Sequence, residues 1–207
     1  MSALEKIAFF QDRRDEVPNQ ELARELATAN DLSGVREIAE NLHNKNKNIS
    51  SDCLKVMYEI GYLKPDLIAP YAGDFLALLE SKDNRKVWGA MIALVTIGDI
   101  QHAVIATHTP EVIGIIRKGT LITTVWGVRL LAKVAARHPE LQTTIINEFT
   151  RILKSCLPRD VPTHLESMLP ALNKENLSVL MPHVKGRIPE MTTSHQSRLK
   201  KVMKKIG

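Results

Sequence analysis

Between Asp83 and Gly98 the apolar residues fall at Val87, Trp88, Met91, Ile92, Leu94, Val95 and Ile97. Spacings of three and four make a broad helical face, not the alternation of a strand. Asp83 or Asn84 can cap that helix through a side-chain oxygen. Gly98 suits its end, because glycine tolerates a left-handed backbone. Pro110 then suits the first turn of a second, shorter helix. The plan recurs downstream: a helix over 121–137 closing on Arg137-His138, then a partner over 139–155 opened by Pro139. Upstream it predicts a helix from about Ile49 to Gly61 and another from Pro65 to Glu80, which Pro70 should kink or split. Two short helices, Asn19–Thr28 and Ser33–Leu42, are expected around Ala29-Asn30-Asp31, and 162–191 can form a further pair. The polar run Asn44-Lys45-Asn46-Lys47-Asn48 reads as an exposed loop. No segment reads as a strand.

The helices repeat in sequence as well as in pattern. Val87-Trp88-Gly89 returns as Val125-Trp126-Gly127, 38 residues on, and tryptophan occurs at only these two places. Ile60-Gly61 precedes Ile97-Gly98 by 37 residues, and Phe75–Leu79 precedes Val112–Ile116 by the same step. Pro65-Asp66-Leu67 and Pro139-Glu140-Leu141 lie two periods apart. A two-helix unit recurring at this period predicts an all-α, right-handed α-solenoid of about four to five hairpin repeats, with atypical end units. Two tryptophans in the same slot of neighbouring units point to packing, with Gly89 and Gly127 admitting an adjacent helix. The alternative is a pair of stacking platforms for bases or a peptide.

The segment Asp83 to Gly98 resembles a HEAT repeat in its acidic or Asn start, its alanines at the small-residue positions Ala90 and Ala93, the Leu94 that follows and its terminal Ile97-Gly98. Ile68-Ala69-Pro70-Tyr71 with Phe75–Leu79 looks like the second helix of such a unit. The resemblance covers about residues 19–190 and departs from the pattern at 99–109. It implies a solenoid of armadillo and HEAT kind that binds other macromolecules, and it carries over no catalytic residue. Short HEAT proteins of this size suit a bacterial cytosol.

Composition changes this picture in one place. Apolar residues are 44% and aromatics only 4%, a helical core of aliphatic side chains. The net charge of +5 is uneven: 185–207 hold seven basic residues and one acid, +6, so the remaining 184 residues carry 5 − 6 = −1. At the end of the chain Leu199, Val202, Met203 and Ile206 form one stripe of a helix. Arg198, Lys200, Lys201, Lys204 and Lys205 occupy the rest. The whole chain, 1–207, is expected to be one solenoid domain, with 194–207 a basic capping helix. Those five cations are the candidate binding residues, for nucleic-acid phosphate, an acidic protein or an anionic membrane surface.

The remaining chemistry argues against an enzyme. There is no phosphate loop, nucleophile elbow or H-E-x-x-H. His102 and His108 lack helical metal spacing, and His43, His138, His164, His183 and His195 read as surface or helix-end residues. Cys53 and Cys156 are far apart and read as reduced thiols of a cytoplasmic protein. No cofactor or metal is expected, no stretch is long enough to span a bilayer, and the N-terminus has no secretory signal. The expected function is a non-enzymatic scaffold holding a protein or peptide on a concave face lined by second helices, with Asp74, Glu80, Lys82, Arg117, Lys118 and Arg151 as contacts. The alternative is nucleic-acid binding through the basic C-terminal helix. Base-excising and tetrapyrrole-serving relatives of the fold have no matching residues here.

Overall fold

In the computed structural model, which describes residues 2–206, the chain is helical and divides into two compact units, one up to Ile105 and one from Ala106. Unit 1 opens with 3-10 turns at Leu4–Lys6 and Ala8–Gln11. Helices α1 (Val17–Ala29), α2 (Leu32–Glu40) and α3 (Lys47–Leu63) follow, then 3-10 turns at Pro65–Leu67 and Ala69–Tyr71, α4 (Ala72–Leu78) and α5 (Asn84–Ile97). The short α6 (His102–Thr107) runs across the division. Unit 2 continues with α7 (Thr109–Lys118), α8 (Leu121–Arg137), α9 (Pro139–Ser155), α10 (Val161–Met168), α11 (Lys174–Gly186) and α12 (Thr193–Met203).

Local chemistry sets the helix boundaries. Asp83 caps α5 by accepting from the Arg85 amide at 2.9 Å, and Asn46 caps α3 by accepting from Asn48 N at 3.0 Å. That second cap starts α3 two residues earlier than the apolar pattern alone. Asn30 leaves α1 in the left-handed region (φ 52), a conformation asparagine tolerates, and Asp31 at once caps α2. Gly98 differs from expectation: its φ is −59, and the chain leaves α5 through a right-handed turn. Pro70 does split its helix, leaving two 3-10 turns before α4. Pro182, in a similar sequence, sits inside an unbroken α11. The irregular 99–109 stretch contains α6.

Within each unit the first helices of successive repeats stack. In unit 1 α1 packs on α3 and α3 on α5, while α2 and α4 lie against α3 and α5. In unit 2 α8 packs on α10 and α10 on α12, with α9 against α8 and α11. Helices α3, α5 and α8 begin at 47, 84 and 121, two steps of 37 residues. The repeated glycines mark close approaches. A Cβ on Gly61 would run into Thr96, with Thr96 Cβ at 2.8 Å; one on Gly89 would meet Leu54 Cδ2 at 2.7 Å. Both join α3 to α5. The cores are aliphatic, built around Met57, Ile60, Phe75, Met91 and Leu94 in unit 1 and Val128, Leu131, Phe149, Leu165 and Leu180 in unit 2.

Candidate functional site

In unit 1 a cleft of about 380 Å³ opens over the first helices. Its walls come from the second 3-10 turn, the chain leading into α1, and α1, α3 and α5. Asn19, almost fully buried, fixes the turn. Its Oδ1 accepts from the Ala8 amide at 2.9 Å, and its Nδ2 donates to Asp52 Oδ1, also at 2.9 Å. Asp52 Oδ2 accepts the Phe9 amide at 2.8 Å. Two side chains of α1 and α3 thereby stand in for the backbone partners that the turn lacks.

The charged groups around this cleft fall into two sets. Arg13 is held by Asp15 in a two-pronged pair at 2.9 and 2.8 Å, which keeps the Asp15 carboxyl below its usual range. Lys55 reaches Glu16 at 2.8 Å and Glu59 at 2.6 Å, and its ammonium lies over the Tyr58 ring, 4.8 Å from the centroid. Burial opposes the Lys55 charge, but the two carboxylates outweigh burial and hold the ammonium above its ordinary value. Burial raises the Tyr58 hydroxyl, and Lys55 partly offsets it. Arg14 and Arg85 form the second set: both line the cleft, both are exposed, and neither has a carboxylate partner among the described residues. Trp88, which is half-buried, lines the same cleft.

Both tryptophans are therefore less enclosed than a slot between repeats implies. Trp126 is also half-buried, and the Arg129 guanidinium stacks over it at 4.3 Å from the centroid. Of their neighbours in the motif, Val87, Gly89 and Gly127 are buried, whereas Val125 is half-buried like the tryptophans.

The basic helix α12 lies on α10 through Leu199 and Val202, which are 4% and 2% exposed. That packing takes Leu199 and Val202 out of the apolar stripe, while Met203 and Ile206 stay half-buried. Of the five candidate cations, two are occupied: Lys205 reaches Glu166 at 2.6 Å and Arg198 reaches it at 3.6 Å. The hydrogen bond from Lys205 leads the effects that hold the Glu166 carboxyl below its usual range. Lys200, Lys201 and Lys204 remain exposed without a carboxylate partner among the described residues. Arg187, another cation of the basic tail, is structural. Its guanidinium donates to the carbonyls of Leu153 (3.2 Å), Lys154 (2.8 Å) and Cys156 (2.8 Å), which close the C-terminal end of α9. Its Nε faces Glu190 at 3.0 Å, a charge contact without hydrogen-bond alignment.

Among the second-helix contacts, Arg117 and Arg151 both converge on Glu148, which is 1% exposed. Arg117 reaches Glu148 Oε2 at 2.7 Å from α7, and Arg151 reaches Oε1 at 2.6 Å within α9. Asp74 faces His43 at 3.5 Å. His164 departs from the surface position expected of it: it is 1% exposed, its Nδ1 has no partner, and burial lowers its pKa. Burial raises the Cys53 thiol to about 12 and the Cys156 thiol to about 11, so both stay protonated at neutral pH. Among the described residues no group of three His, Cys, Asp or Glu side chains could hold a metal ion, and no helix is long and apolar enough to cross a membrane.

No family model matches the sequence, and no curated protein matches it. Solved structures do. An engineered protein from the Northeast Structural Genomics Consortium superposes with a TM-score of 0.63 at 17% identity, over 98% of this chain and 94% of that one. A second engineered protein from the same consortium gives 0.61 at 17% identity, over 98% of this chain and 56% of that one. A designed armadillo repeat protein gives 0.58 at 11% identity, over 99% and 98%. Together with the stacked helices, these likenesses show an all-α solenoid of helical repeats.

Proposed function

We propose that this protein is a non-enzymatic repeat scaffold of the HEAT kind that holds a peptide segment of a partner protein. The observation that carries the reading is the unit 1 cleft, which Arg14 and Arg85, without carboxylate partners among the described residues, line together with half-buried Trp88. Such a cleft suits an extended segment with an acidic residue beside an apolar one. The guanidinium fork matches a carboxylate, and the indole face takes the apolar side chain. The acids around the cleft are engaged with Arg13, Lys55 and the 3-10 turn, so they do not compete for the two free arginines. The cleft lies on first helices, whereas the sequence pattern favoured the second helices. Two-helix units such as α1–α2 and α8–α9 fit a HEAT repeat, while α5–α6–α7 carries a third, short helix, and α12 is read as the cap of unit 2.

The test is selection of peptides from a random library displayed on phage, followed by affinity measurement. Enriched peptides should carry Asp or Glu next to an apolar residue. They should lose about tenfold in affinity, roughly 1.4 kcal/mol, on Arg85→Glu. Failure to enrich any peptide, or binding indifferent to both Arg85→Glu and Trp88→Ala, contradicts the reading.

The basic helix α12 supports a second reading, nucleic-acid contact. With Arg198 and Lys205 held by Glu166, three lysines remain for phosphates. A contact with three phosphates gives a log–log salt slope of only about −2.7 on duplex DNA. Anisotropy with labelled duplex DNA on the whole chain and a 1–193 truncation checks it. Binding that survives near-physiological salt and disappears on truncation would move nucleic acid to first place.

A further inference from the structure

We propose that the groove between α11 and α12 is a second docking site, for an amphipathic helix of a partner protein whose apolar stripe is flanked by Asp and Glu. The groove holds about 160 Å³. A cavity of about 150 Å³ accepts benzene, so there is room for one large apolar side chain of a guest. Each wall supplies a matched helical set. Met181, Val184 and Lys185 follow i, i+3, i+4 on α11, and Gln196, Leu199, Lys200 and Met203 follow i, i+3, i+4, i+7 on α12. Ile188 completes the floor, and the Gln196 amide closes it by donating to the Ile188 and Met191 carbonyls at 3.3 and 3.1 Å. Met181 and Met203 are half-buried, and methionine adapts its shape to a guest.

Charge selects the occupant. Each wall carries one exposed lysine at the rim, Lys185 and Lys200, and Lys204 lies one turn on from Lys200. None of the three has a carboxylate partner among the described residues, and no acid lines the groove. The nearby acids are committed elsewhere: Glu190 to Arg187, and Glu166 to Lys205 and Arg198. A helix laid along an apolar seam between two lysine rims places its own flanks against both. Acidic flanks are therefore attracted on either side and basic flanks are repelled. A second copy presenting this same face would set lysine against lysine. A nucleic acid would leave the apolar floor unused.

The test uses fluorescence anisotropy on the whole chain. One probe is a labelled 20-residue peptide with Leu at i, i+3, i+4 and i+7 and Glu on both flanks. Three controls accompany it: the same composition scrambled to destroy the stripe, the Lys-for-Glu counterpart, and vesicles of anionic phospholipid. The acidic amphipathic peptide should bind, and the scrambled and basic peptides should bind at least about tenfold more weakly. Met181→Glu and Lys200→Glu should each weaken binding by about tenfold. Lys200 is exposed, so its variant keeps the fold even if Met181→Glu does not. Trp88→Ala should leave this binding unchanged, which separates it from the unit 1 cleft. Equal binding of the scrambled peptide would reduce the effect to net charge and overturn the proposal. So would loss on Trp88→Ala, insensitivity to Lys200→Glu, vesicle binding that Met181→Glu abolishes, or self-association of the free chain that Met181→Glu abolishes.

Discussion

Burial opposes the ionisation of Glu148, yet hydrogen bonds from Arg151 and Arg117 outweigh it and hold the carboxyl below its ordinary 4.5. The pair is therefore stabilising above the unfolded value, and the contribution is lost as pH falls through the lowered folded value. Both guanidiniums are more than a third exposed, which screens them. Glu148→Ala should accordingly lower the unfolding free energy by about 1–2 kcal/mol in a urea titration at pH 7. His164 acts at a higher pH. Burial lowers its pKa from 6.5, so the folded state holds it neutral while the unfolded chain takes up a proton below about that pH. The contribution of this group should be full above pH 6.5 and decline below it, and His164→Leu should flatten that decline in thermal melts. Trp88 is half-buried, so Trp88→Ala should cost about 2 kcal/mol, below the 3–5 kcal/mol of a fully enclosed ring. A change near zero would mean that the ring contributes no packing.

At the level of elements, α3 and α5 meet where two glycines leave room. Gly61→Ala places a Cβ 2.8 Å from Thr96 Cβ, an atom tied to the backbone of α5, and should destabilise by about 1–3 kcal/mol. Arg187 does comparable work for α9 with three carbonyls. Lysine cannot span them as a fork, so Arg187→Lys should lose most of the roughly 1–2 kcal/mol that Arg187→Ala loses, by the same titration. The helices themselves were legible because they carry their signals locally: Asp83 caps α5, Pro139 opens α9, and Pro70 divides its segment. Helices α8 and α9 match the sequence expectation residue for residue, 121–137 and 139–155. Gly98 ends α5 as the sequence implies but with φ −59, because a helix-terminal glycine is permitted, not obliged, to take positive φ. Arg187 looked like part of a charged tail because its carbonyl partners lie more than thirty residues earlier.

For the whole molecule, the period of 37 residues was legible because each hairpin must present the same face to its neighbour. The cleft in unit 1 was not. It depends on Asn19 and Asp52 holding a 3-10 turn that has no periodic signal, and on which arginines find carboxylates. Arg13 and Arg14 are adjacent in sequence, and only the fold separates the paired one from the free one. The motif tryptophans were placed in the right elements but judged too buried, since identical spacing reports a shared position in the repeat and not the depth of the ring. The central claim is that Trp88 and the free arginines receive a peptide. The most direct measurement is the emission of Trp88 as sole tryptophan, in Trp126→Phe protein, titrated with a peptide selected on the whole chain. The account predicts a saturable change in Trp88 emission with the same midpoint as anisotropy, and its loss on Arg85→Glu. Peptide binding that saturates by anisotropy while Trp88 emission stays constant would contradict it.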